Sequence, residues 1–132
     1  MMKEHEKDHW KWRYDMAQTM AAKLDMERLG VKALYLIGSV KTGEAGPCSD
    51  IDLLAHCTDD SEKHEMLKAY CEGWGHCLAE FNECKTTFRT SGSLVDLHII
   101  TDKDIQKKTS FAVMLDSVDN SARLLKKCPG DA

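Results

Sequence analysis

Asp50 and Asp52 flank Ile51 and run straight into Leu53-Leu54, so two carboxylates are threaded through an apolar stretch. Side chains alternate across a strand, which puts Asp50 and Asp52 on one face and Ile51 and Leu53 on the other. Unpartnered carboxylates are costly to bury, so the acidic face must be open or compensated. A second apolar run, Leu94-Val95-Asp96-Leu97-His98-Ile99-Ile100, repeats the device. Asp96 and His98 share one face there, and Val95, Leu97 and Ile99 share the other. Should the two runs be neighbouring strands, three carboxylates converge, with His98 placed to contact a phosphate or a metal. The plainer alternative is an edge strand with solvated acids and a polar histidine on an open sheet face.

Upstream, Leu34-Tyr35-Leu36-Ile37 ends in Gly38-Ser39, a small turn whose N–H groups and hydroxyl suit phosphate oxygens. Convergent carboxylates supply the hard oxygen ligands that Mg²⁺ prefers. The combination points to a divalent metal and a triphosphate. Asp102-Lys103-Asp104 is a second Asp-x-Asp, but it stands where a helix begins and reads as capping.

Along the chain, Trp10, Tyr14, Ala17, Met20, Ala21, Leu24 and Met26 predict a helix over about 5–29, stopped by Gly30. Ala33 to Ile37 reads as a buried strand, and Val40 to Ser49 as a loop or a helical turn followed by loop. Asp50 to His56 is the second strand. Asp59-Asp60-Ser61 opens a helix to about 84, with Met66, Tyr70, Trp74, Leu78 and Phe81 as its buried stripe. Gly73 and Gly75 weaken that helix. Arg89 to Ser93 is turn-like, Leu94 to Thr101 is the third strand, and Thr101 caps a short helix. Phe111 to Val118 packs back on the body in an undefined state, and the tail from Lys126 is expected to fray. The fold class is therefore α/β (α+β), a small mixed sheet flanked by helices, with an antiparallel first pair because its link is short. The expected organisation is one domain over 1–132: an N-terminal helix about 5–29, a motif-bearing core about 33–101 and a C-terminal helical segment about 102–127.

The formal net charge of -4 argues against a broad nucleic-acid groove. No apolar run reaches membrane-spanning length, and Met1 to Arg13 is charged, so neither a membrane span nor a signal peptide is expected. The six cysteines include no C-x-x-C pair, which leaves reduced thiols in a cytoplasmic protein as the reading. His5 and His9 have ligand spacing but no third partner in view and read as surface residues. Trp10, Trp12 and Trp74 could stack a base; Trp10 and Trp74 are expected to pack instead. Cys48 is read as structural.

Ile37-Gly38-Ser39, Ser49-Asp50-Ile51-Asp52-Leu53 and Val95-Asp96-Leu97 together resemble the nucleotidyltransferase superfamily typified by DNA polymerase beta, in the minimal form (MNT) found in bacteria and archaea. The resemblance spans about residues 33 to 100. It implies the nucleotidyltransferase fold and transfer of a nucleoside monophosphate, AMP being expected, from an NTP to a hydroxyl with release of pyrophosphate. It assigns Asp50, Asp52 and Asp96 to two Mg²⁺ or Mn²⁺ ions and to catalysis, with Asp96 helping to activate the hydroxyl. Gly38 and Ser39 would hold the triphosphate of the substrate, expected to be ATP. Many minimal members read Gly-Ser-x-Ala-Arg-Gly where this chain has Gly38-Ser39-Val40-Lys41-Thr42-Gly43. Thr42 thus takes the place of the usual arginine; Lys41 beside it, or Arg89, is the substitute cation. Minimal members often work beside a helical HEPN-domain partner as the antitoxin of a toxin pair. A partner of that kind, a homodimer, or a non-catalytic nucleotide-binding module is the alternative reading.

Overall fold

The computed structural model of the chain describes residues 8–90, 92–116 and 122–129. Helix α1, His9–Lys23, buries His9, Arg13, Ala17, Met20 and Ala21 at three- and four-residue spacing. The helix predicted to reach residue 29 divides at Leu24, which is extended. Leu24 and Met26 are two apart and would face different ways on a continuous helix, yet both are buried. The extended step lets both reach the core. Asp25 then accepts a bond from the Arg28 N–H and opens the short helix α2, Met26–Leu29, which Gly30 closes at φ 67°.

Strand β1, Val31–Ile37, leads directly into the single turn α3, Gly38–Thr42. A loop then delivers Asp50 to strand β2, Ile51–Cys57. The long helix α4, Ser61–Thr86, crosses over to strand β3, Val95–Ile100. Two short helices, α5 (Asp102–Lys107) and α6 (Ser110–Val113), and a 3-10 turn at Met114–Asp116 follow. A fourth strand, β4, covers Arg123–Lys127. Sheet order is β3-β2-β1-β4, with β2 and β3 parallel and both β2 and β4 antiparallel to β1. The chain is thus mixed α/β around a mixed sheet, and the first pair is antiparallel, as its short link requires.

The expected C-terminal helical segment is helical in its first part, up to Asp116, and strand β4 corrects its end, including the frayed tail expected from Lys126. The five residues of β4 are too few and too polar to show a period of two, but β1 is central and needs a partner on its second edge. Lys126 also donates Nζ to the Ala22 and Leu24 carbonyls at 3.2 and 3.0 Å, closing the exposed end of α1.

Alternation divides the sheet into two faces. Leu34, Leu36, Ile51, Leu53, Ala55, Cys57 and Val95 pack with α1 and α4 in the main core. Ile37, Leu54 and Ile100 form a smaller cluster on the opposite face with Ala112, flanked by Ile105 and Phe111 from α5 and α6. The second face is covered only in part, and it is the face of Asp52, Asp96 and His98.

Helix α4 is one element through both glycines, capped by Asp60, which accepts from the Glu62 and Lys63 N–H groups. Its buried line is Leu67, Cys71, Gly75, Leu78 and Asn82, which shares only Leu78 with the predicted stripe, while Tyr70 and Trp74 pack at the core's edge. Met66 and Phe81 are exposed and Trp74 is half-buried beside the core. The reason lies at Gly75, whose carbonyl accepts from Leu94 N–H at 3.0 Å. A Cβ there would run into Ser93 Oγ and lie 2.8 Å from Ser93 Cβ and 3.1 Å from Val95 N. The absent side chain lets the helix touch the entry to β3. Gly73 faces open space. Gly73→Ala is therefore expected to raise stability by about 0.5–1 kcal/mol through helix propensity, whereas Gly75→Ala lowers it by overpacking. Paired thermal melts of the two variants check the contrast.

Candidate active site

Asp52 and Asp96 are direct neighbours in the parallel register of β2 and β3. One ligand atom each from Asp52, Asp96 and His98 lie within 4.8 Å of one another. His98 Nε2 stands 3.3 Å from Asp96 Oδ2, and its ring stacks on Phe111 with centroids 4.2 Å apart and planes at 23°. Helix α6 thus holds the imidazole beside the acids. His98, expected only as a possible contact, joins the cluster.

Asp50 sits one residue ahead of β2 and outside that tight group, though its charge acts on Asp52 and the charge of Asp96 acts on it. Alternation predicts Asp50 beside Asp52 on the acidic face; in the structure Asp50 is exposed just ahead of β2. Burial and the neighbouring Asp96 and Asp50 push the Asp52 carboxyl up to about 6, with His98 opposing. Asp50 is raised as well, by burial and then Asp96, while Arg13 pulls it down.

Gly38 closes the site from β1. Its φ of 77° belongs to the left-handed region, and a Cβ there would collide with Asp52 Oδ2 and stand 3.2 Å from its carboxyl carbon. Glycine is required for both reasons, so the Gly38 backbone lies against the Asp52 carboxylate. Ser39 and Lys41 are half-buried on α3. Thr42 is exposed and turns its hydroxyl back to the Ser39 carbonyl at 3.2 Å. Arg89 is exposed beyond α4 and ion-paired with Glu83 at 3.2 Å. Arg13 is an arginine whose charge acts on Asp50.

Arg13 is the residue that the sequence reading passed over. An arginine four residues before Ala17, on the line that Ala17, Met20 and Ala21 continue, was the available signal. Of the other residues considered, His9 is buried and not on the surface, and His5 lies outside the described residues. Trp10 is exposed beside Tyr14, and Trp12 packs edge-on against Phe81 at 5.2 Å. All six cysteines are free thiols, Cys48 among the exposed ones. Among the described residues no helix is long and apolar enough to cross a membrane.

The donor set fits a divalent cation. Carboxylate oxygens suit Mg²⁺ or Mn²⁺, an imidazole is compatible with Mn²⁺, and a cation would relieve the repulsion that raises Asp52. A family model described as the nucleotidyltransferase domain matches residues 20–112, a span that contains Gly38, Asp50, Asp52, Asp96 and His98. No curated protein matches the chain. Among solved structures, it is similar to the crystal structure of a candidate nucleotidyltransferase from Sulfolobus solfataricus, at 14% identity and a TM-score of 0.47 over 92% of this chain and 86% of that one. With the family model covering well over half of its length, the chain belongs to the nucleotidyltransferase domain family.

Proposed function

We propose that the protein is a metal-dependent nucleotidyltransferase that moves a nucleoside monophosphate, AMP from ATP in the favoured case, onto a hydroxyl and releases pyrophosphate. The observation that carries this reading is the in-register pair Asp52 and Asp96, with His98, pressed against the Gly38 turn. In the transfer, the acceptor oxygen bonds to the α-phosphorus, the bond to the β-phosphate oxygen breaks, and pyrophosphate leaves with that electron pair. Asp96, the most exposed of the cluster, accepts the hydrogen bond of the attacking hydroxyl and draws off its proton. Asp50, Asp52 and Asp96 would hold Mg²⁺ or Mn²⁺, two ions in the arrangement that the sequence resemblance implies. When bound, the metal neutralises charge on the phosphoryl oxygens and aligns entering and leaving groups. Gly38, Ser39 and Lys41 are assigned to the triphosphate. A cytoplasmic setting supplies both ATP and Mg²⁺.

One observation favours a second reading. Thr42 stands where the sequence resemblance implies an arginine, and its side chain folds back on its own turn. In that reading the protein binds nucleotide without turnover and works with a helical HEPN-like partner, or as a homodimer. Calorimetry with ATP and Mn²⁺, a pyrophosphate-release assay and co-purification from native cells separate the two.

Three outcomes test the transferase reading. Asp52→Asn and Asp96→Asn are expected to lower labelled-NMP transfer by at least about a hundredfold while the protein stays folded. Asp52→Asn is also expected to raise the metal-free melting temperature at neutral pH, because one of three mutually repelling charges is gone. The third concerns pH. Asp52 titrates at about 6 in the fold against 3.8 for an ordinary aspartate, so folding takes up a proton between those values. Its contribution therefore favours the native state at low pH and is lost as pH rises through 6. A cation needs the ionised carboxylate. Mn²⁺ is expected to raise the melting temperature clearly at about pH 7.5 and little at about pH 5; equal shifts at both would remove Asp52 from the ligand set.

A further inference from the structure

Arg13 has no exposed surface, although it carries a guanidinium. Its Nε donates to the Ser49 carbonyl at 2.8 Å and its Nη1 to the His9 carbonyl at 3.2 Å. Its Nη2 donates to the Pro47 carbonyl at 3.2 Å and to Asn82 Oδ1 at 2.9 Å. Asn82, equally buried, donates Nδ2 to the same Pro47 carbonyl at 2.8 Å. Because arginine only donates, it fixes the Asn82 amide with its oxygen toward Arg13 and its nitrogen toward Pro47. Helices α1 and α4 thus grip residues 47–49, which lead directly into Asp50.

Packing alone does not account for this choice. Burying a guanidinium is costly, and an apolar side chain of similar volume fills such a site without that cost. Arginine adds a planar fork of donors that satisfies several carbonyls at once, and a fixed positive charge. That charge bears on Asp50.

We propose that Arg13, locked by Asn82, is a positioning residue that fixes the Pro47–Ser49 backbone so that Asp50 faces Asp52 and Asp96 as a bound divalent cation requires. Arg13 stands on α1 ahead of residues 20–112, the part matched to the family, whereas Pro47, Ser49 and Asn82 lie within it. The inference rests on the metal-binding reading above.

The test is a titration of ¹⁵N-labelled wild-type protein with Mg²⁺ alone, followed by NMR. The buried Arg13 Nε–H and the Ser49 and Asp50 amides are expected to shift together and to saturate with the Asp52 amide. Arg13→Lys keeps a charge but loses the fork; its Mn²⁺ affinity, measured by calorimetry well below its melting temperature, is expected to fall on the order of tenfold. Asn82→Ala is expected to weaken affinity less. An Asp52 amide that responds while Arg13 Nε–H does not overturns this inference alone, as does a folded Arg13→Lys with wild-type affinity. Should Arg13→Lys fail to fold, the wild-type titration still decides. No response to Mg²⁺ at any of these groups removes the metal reading and this inference with it.

Discussion

The parallel pairing of β2 with β3, in a register that sets Asp52 against Asp96, is the constraint from which the remaining architecture follows. Two parallel strands cannot be joined by a tight turn; the chain must cross the sheet, and here it does so through the 26-residue helix α4. That helix must come close enough to return the chain to β3, and Gly75 permits the approach. The same helix carries Asn82 beneath the loop ahead of Asp50, where α1 meets it through Arg13. The geometry of two carboxylates thus reaches outward to a glycine in one helix and an arginine in another.

The site is assembled against its own electrostatics. Burial and then the charge of Asp96 raise the proton affinity of Asp50, and burial, Asp96 and Asp50 raise that of Asp52. What opposes it is modest: His98, stacked on Phe111, near Asp52 and Asp96, and the buried Arg13 near Asp50. Local stability is given up where charge is gathered, and the large apolar layer on the other side of the sheet offsets the loss.

The strands and their facing were legible in the sequence because alternation is a strong signal when an acid interrupts an apolar run. Asp52, Asp96 and His98 share a face for that reason alone, and their proximity needed only the strand order. The two long helices were read less well, both in the same way. Periodicity of large apolar side chains puts Trp10 and Tyr14 in the buried stripe of one helix, and Met66 and Phe81 in that of the other. The contact lines instead run through Arg13 on α1 and through Gly75 and Asn82 on α4. A polar pair occupying core positions displaces the aromatics to the flanks, and hydrophobic periodicity cannot report a buried arginine. Strand β4 escaped notice because five residues with two leucines carry no pattern; its place is set by the open edge of β1, a tertiary cause.

Of the described strands, β4 is last in the chain, and its partner β1 is the first. During synthesis β1 and β2 emerge with one flank of β1 lacking its mate until nearly ninety residues later, judging by the distance from β1 to β4. The nascent protein therefore exposes a ribbon edge until β4 follows, a period in which neighbouring chains or chaperones compete for that flank.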